Sequence, residues 1–165
     1  MRTLKWTPSD AVFVTGIDDE HKEIFAAVAK LQAGMNHPRA DLRRLTNHLV
    51  GCITGHFDHE ERLMRAARYG SLRWHKQLHD AARRRVGDLL SRIQKGDPDS
   101  LDALLAYLTT WLHDHARVAD RMMGPALRNH ERGMYRMTVR ASTRPSDSCN
   151  WVDVTGEPLN PEISA

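Results

Sequence analysis

The sequence predicts an all-α fold: an antiparallel up-down-up-down four-helix bundle with an N-terminal extended arm and a C-terminal tail. Three observations predict it. Four apolar stripes recur at three- and four-residue spacing, Pro/Gly/Asp-rich breakers separate them, and histidines and carboxylates fall in phase with the stripes instead of opposite them. The expected boundaries are an arm over residues 1–17, a bundle over 18–130 and a tail over 131–165.

At 165 residues the chain is the size of one domain and long enough to bury a core without disulfides. Its 41% hydrophobic and 27% charged residues are ordinary for a globular protein. A balance of 24 Lys+Arg against 21 Asp+Glu is too even to point to nucleic acid. MRTLKWTPSD carries no apolar leader core, and no apolar run reaches about 18 residues, so no membrane span and a cytoplasmic location are expected. Cys52 and Cys149 read as free thiols in a reducing compartment.

In the arm, Pro8, Gly16 and the short run AVFV argue for extended chain, with Trp6 and Phe13 as anchors. Asp18 or Asp19 is a suitable N-cap for the first helix, which Glu20 and Glu23 support through the helix dipole. Its stripe runs Ile24 with Phe25, Val28, Leu31 and Met35, and extending it backwards reaches His21. Pro38 ends that helix and Asp41 can begin the second, whose stripe reads Leu45, Leu49, Cys52 or Ile53, His56, Glu60 and Leu63. Tyr69, Gly70 and Ser71 form the next break. The third helix then carries His75, His79, Ala82, Val86, Leu89 with Leu90, and Ile93. After GDPDS the fourth carries Leu101, Leu104 with Leu105, Leu108, Leu112, His115, Ala119 and Met122, and is expected to end at Gly124–Pro125, with a further turn or two in ALRNHER an alternative. In the tail, Tyr135, Met137 and Val139 alternate with polar residues, and Trp151, Val152 and Val154 do so less cleanly; a short hairpin and a disordered segment are both compatible with this, as is a docking segment for a protein partner.

Short connections make consecutive helices antiparallel. The start of the first, the end of the second, the start of the third and the end of the fourth then share one end of the bundle. That end collects His21, His56, Glu60, His75, His79, His115 and Asp120. In a regular α-helix Asp120 would be turned about 140° from His115, approaching the same point from the side. A single HxxxE or HxxxH pair is usually surface decoration or a hydrogen-bonded core histidine. Five histidines and two carboxylates in one small core are different, because burying them without a cation costs several kcal/mol, on the order of the penalty for uncompensated buried charge. A metal satisfies all seven.

The motifs GIDDEHKEIF (16–25), HFDHEERLM (56–64), HKQLH (75–79) and WLHDHARVAD (111–120) resemble those of the hemerythrin family, specifically the bacterial hemerythrins, over about residues 6–123. The resemblance implies a non-heme di-iron centre that binds O2 reversibly, with two iron ions cycling between Fe2+ and Fe3+. By motif position His75, His79 and His115 would hold one iron and His21 with His56 the other. Glu60 and Asp120 would bridge them together with an oxo or hydroxo group. Three histidines, two carboxylate oxygens and the bridge make six ligands on one iron; two histidines and the same bridges make five on the other, leaving a position for O2. The family motif suggests Trp111, Leu112 and Ala116, with Phe57, Ile24 or Phe25 nearby by phase, as the apolar ligand pocket; plain core packing fits the same residues.

Family members commonly carry Ile directly after the histidine of the fourth helix, where this chain has Ala116. The smaller side chain should enlarge the pocket or open a path to solvent. That keeps open an alternative, reduction of peroxide or nitric oxide at the same centre, beside O2 carriage, storage or sensing and beside an iron- or oxygen-responsive regulatory role. His59 and His113 lie beside ligand residues but off the stripe, His48 about two turns from His56, and His37 and His130 near helix ends; Met64, Met122 and Met123 read as core, and Arg83–Arg85 as a solvated face.

Overall fold

A computed structural model describes residues 4–35 and 38–142. A single 3-10 turn, Pro8–Asp10, interrupts the arm. Helices α1 (Thr15–Ala33), α2 (Arg39–Ala66), α3 (Leu72–Gln94) and α4 (Ser100–Asp114) follow, then a π-helical turn over His115–Asp120 and α5 (Arg121–Ser142). Helix α1 packs on α2 and α4, and α3 packs on the same two, so sequential neighbours surround one core in the expected up-down order. The chain divides after Glu131 into two units, and the bundle belongs to the first.

Two apolar layers fill the bundle. The larger includes Ile24, Val28 and Leu31 of α1, Leu49 and Ile53 of α2, Val86 and Leu89 of α3, and Leu104, Leu105 and Leu108 of α4. The smaller joins Val12, Val14 and Ile17 to Met64, Met123 and Leu127. The seven metal-competent residues lie between these layers in every helix, so hydrophobic burial of about 1.5–3 kcal/mol per large side chain secures the site from both sides.

Helix α1 begins at Thr15, earlier than an Asp18 or Asp19 cap would place it. Asp18 instead reaches back, its carboxylate accepting from the backbone N–H groups of Val12 (2.7 Å) and Phe13 (3.0 Å). This fold-back corrects the reading of the arm's anchors. Leu4, Val12 and Val14 are buried and Trp6 is half-buried, whereas Phe13 is 66% exposed. With φ at 62° its backbone sits in the left-handed region, and the Phe13 side chain points away from the core. Asp10 ties the arm down from the other direction: fully buried, it accepts from Thr7, from His113 Nδ1 (2.8 Å) and from Arg117 Nε (2.7 Å).

The fourth helical segment does not end at Gly124–Pro125; α5 runs through both. Gly124 is there for close approach. A Cβ at that position would stand 2.7 Å from the Val12 carbonyl oxygen, which Arg128 also holds with a 2.6 Å hydrogen bond. Tyr135, Met137 and Val139 are helical, not strands of a hairpin. Trp151, Val152 and Val154, like His37, lie outside the described residues.

Candidate metal centre

All seven predicted residues converge, buried, at one level of the bundle. Each histidine aims Nε2 inward. His75, His79 and His115 gather on one side, with Nε2–Nε2 separations of 3.1 Å from His79 to each of the others. His21 and His56 face each other at 3.1 Å on the other side. The carboxylates lie between. Glu60 sends Oε2 to His79 (3.1 Å) and His75 (3.5 Å) and Oε1 to His56 (3.6 Å). Asp120 sends Oδ1 to His115 (3.0 Å) and His75 (3.2 Å) and Oδ2 to His21 (3.1 Å). Two ligand groups result, Glu60/His75/His79/His115/Asp120 and His21/His56/Glu60/Asp120, overlapping in both carboxylates.

This arrangement fits cations better than it fits itself. None of the four carboxylate oxygens receives a hydrogen bond, although all are buried. Ligand bonds of about 2.1 Å at right angles give ligand–ligand edges of about 3.0 Å, close to most of the separations present. Two buried carboxylates side by side without a cation would repel each other in a medium of low polarisability. Burial and the Asp120 charge push the Glu60 carboxyl up, but the surrounding His56, His75 and His79 prevail and hold it at about 2. Burial pulls His75 down, yet the Asp120 and Glu60 carboxylates beside its Nε2 push it up to about 9. Burial, with His115 and His75 beside it, leaves His79 below the usual imidazole range.

The π turn makes Asp120 a partner of His115. An i→i+5 turn brings residues five apart onto one face, where a regular α-helix would leave Asp120 about 140° away. It also inserts one residue into the stripe. The register shifts after Ala119, so Met123 is buried and Met122 is 54% exposed, correcting the reading of Met122 as core.

Carboxylates outside the centre fix two imidazoles through Nδ1. His56 pairs with Glu20 (2.9 Å), which also holds His59. His79 pairs with Glu61 (3.2 Å), which Arg83 holds at 2.9 Å while also bonding Asp58 and Asp80. Such partners set the tautomer so that Nε2 keeps its lone pair for a metal. Arg83 is therefore part of the centre's support and not of a solvated face. Glu20 and Glu61 escaped the stripe pattern because they point to a neighbouring helix; the available signal was a glutamate directly before His21 and directly after Glu60.

Phe57 stacks on His79 with centroids 4.0 Å apart and planes 7° apart, and Trp111 stacks on His115 at 4.2 Å and 15°. Both pocket residues thus brace the three-histidine side. Leu112 and Ala116 are buried, 4% and 1% exposed. A groove of about 460 Å³ lined by Trp74, Tyr107, Trp111, His115 and Val118 opens outside α4 and touches neither of them. His48 stands away from the centre beside Cys52.

Residues 12–127 match the family described as hemerythrin HHE cation binding domain. The chain is 33% identical to myohemerythrin-1 of Phascolopsis gouldii over 115 residues, 70% of this chain and 87% of that one. It is 33% identical to bacteriohemerythrin of Pseudomonas aeruginosa over 132 residues, 78% of this chain and 84% of the relative. A crystal structure of wild-type hemerythrin superposes with a TM-score of 0.71 at 26% identity, covering 76% of this chain and 98% of that one. Among the described residues no helix is long and apolar enough to cross a membrane. With two overlapping ligand groups in a four-helix bundle and matches of this extent, the chain belongs to the hemerythrin family.

Proposed function

We propose that this protein binds O2 reversibly at a non-heme di-iron centre. His75, His79 and His115 hold one iron, His21 and His56 the other, and Glu60 and Asp120 are shared. The observation that carries this reading is the pair of ligand groups that overlap in both carboxylates and hold three and two histidines of their own. When bound there, two iron ions would supply the electrons that reversible O2 binding takes up and returns.

The chain's residues provide a fixed setting. Glu20 and Glu61 hold His56 and His79 in the ligating tautomer. Phe57, Leu112, Ala116 and Met64 are buried at the level of the site or next to it in sequence and give it apolar walls. Among the described residues the buried polar groups at this end are imidazoles and carboxylates; the buried hydroxyls, Thr46 and Ser100, sit toward the starts of α2 and α4, at the other end. An apolar-walled site without a buried hydroxyl or ammonium group favours binding over reduction of peroxide or nitric oxide.

The test is anaerobic reconstitution with ferrous iron, exposure to air, then removal of O2. An absorption band that appears with O2 and reverses without it is the expected result. Irreversible oxidation with turnover of added peroxide would replace binding by enzymatic reduction, and uptake of zinc without iron would defeat both.

A further inference from the structure

A different set of metal-competent side chains stands on the α1–α2 face. His48, Cys52, His56 and Glu60 follow one another at four-residue spacing along α2, so the file that ends in the buried centre begins near the surface. Glu23 of α1 meets its outer half. Cys52 Sγ lies 3.8 Å from Glu23 Oε1 and 3.7 Å from His48 Nε2, and the three donor atoms all lie within 4.8 Å of one another. Bonds of about 2.3 Å to sulfur and about 2.1 Å to nitrogen or oxygen place tetrahedral ligands about 3.4–3.6 Å apart. The trio is close to that size before any adjustment, and the exposed Glu23 and His48 side chains are free to close the difference.

The space for an ion is also present. A cavity of about 400 Å³ is lined by Glu20, Glu23, His48, Cys52 and His56, with Gly51 and Gly55 in its wall. A Cβ on either glycine would meet nothing within 4 Å, so the missing side chains leave a gap beside the ligand file. Thiolate, imidazole and carboxylate together suit a borderline divalent cation; a hard cation such as Ca2+ or Mg2+ would take oxygen ligands alone.

We propose that Glu23, His48 and Cys52 form a second, mononuclear cation site that takes a borderline divalent metal, Zn2+ or Fe2+, with water in the fourth position. Binding breaks the Cys52 S–H bond, forms a sulfur–metal bond and releases the proton to solvent, with no change of oxidation state. Burial, and after it the Glu23 carboxylate, push the free thiol up, so the site binds more tightly as pH rises. The site is independent of the di-iron assignment, since it shares no ligand with it.

The probe is Zn2+, added to iron-loaded full-length protein in which Cys149→Ser leaves Cys52 as the one thiol. One further equivalent of zinc should bind with the iron content unchanged, and alkylation of Cys52 should slow by about tenfold or more. Co2+ in place of Zn2+ should give a thiolate-to-cobalt charge-transfer band that Cys52→Ser removes. Glu23→Gln with His48→Gln, both at exposed positions, should abolish zinc uptake and the protection. No extra zinc overturns the proposal in favour of a neutral thiol hydrogen-bonded to Glu23, and protection that persists in the double variant overturns it by showing that Glu23 and His48 are not ligands. Should the chain retain no iron, the di-iron reading fails while Cys52 protection still reports on this site.

Discussion

On the α3–α4 side of the centre three imidazoles face the shared carboxylates, and on the α1–α2 side only two do. The supports differ in the same sense. His79 is backed by Glu61, whose side chain is 10% exposed and pinned by Arg83, and it carries the Phe57 ring on its face. His56 is backed by Glu20, whose side chain is 30% exposed, and a cavity bordered by Gly51 and Gly55 opens beside it. The richer half is the more heavily braced, although the groove lined by Trp111 and His115 opens on its outer side. The poorer half offers one histidine fewer, and its outer carboxylate is the more exposed of the two; under the proposed function this is where a small molecule would enter.

Removing what the halves share should have the largest effect. Asp120→Ala takes a ligand from both groups, so elemental analysis should find both irons lost, whereas His21→Ala should leave iron in the three-histidine half. Retention of both irons in Asp120→Ala would show that the carboxylate is not shared.

The supports come next. Glu61→Gln should weaken metal binding by about 10–100-fold, the usual cost of losing an outer carboxylate, and Glu20→Gln by less because solvent already screens it. Competition with a chelator measures both, and an equal or reversed order would mean that the two halves are supported alike.

Acidity separates the centre with and without metal. In metal-free protein His75 titrates at about 9, above the unfolded value of about 6.5. Its contribution to stability is fully present below about pH 6.5 and is lost as pH rises through about 9. Glu60, held at about 2, contributes above its ordinary value of 4.5 and loses that contribution as pH falls. Melting temperatures of the metal-free chain should therefore decline from about pH 6 to about pH 9. In the loaded protein protons compete for imidazole, so metal should be released progressively below about pH 6.5.

The smallest effect is expected at Ala116. Ala116→Ile adds bulk next to His115 and should lengthen the lifetime of the oxygenated form, read from the decay of its absorption band; an unchanged or shorter lifetime removes Ala116 as a determinant. Because Ala116 is 1% exposed, the added bulk should also lower stability by about 1–3 kcal/mol unless the surroundings repack.

The helices, their order around the core and the level at which the seven residues meet were readable from the chain because each rests on local rules. A 3.6-residue period selects the buried face, and Pro38, Tyr69–Ser71 and GDPDS interrupt it where the helices break. That Asp120 would reach the same point as His115 was readable, but that the two share one face was not, since a regular helix separates them by about 140° and a π turn joins them. The roles of Phe13 and Gly124 were not readable either. Their types suggest an anchor and a helix end, but the Asp18 fold-back and the approach of Val12 to α5 give them other tasks.

Sequence alone placed six of the seven inner residues, because they lie on the stripes that must be buried whatever else happens, while Asp120 joins them through the π turn. Tertiary structure decided the outer set and the asymmetry of the centre. Glu20, Glu61, Arg83 and the Asp10–His113 contact join residues 18 to 103 positions apart, and no local periodicity encodes which off-stripe carboxylate will face which imidazole across a helix boundary.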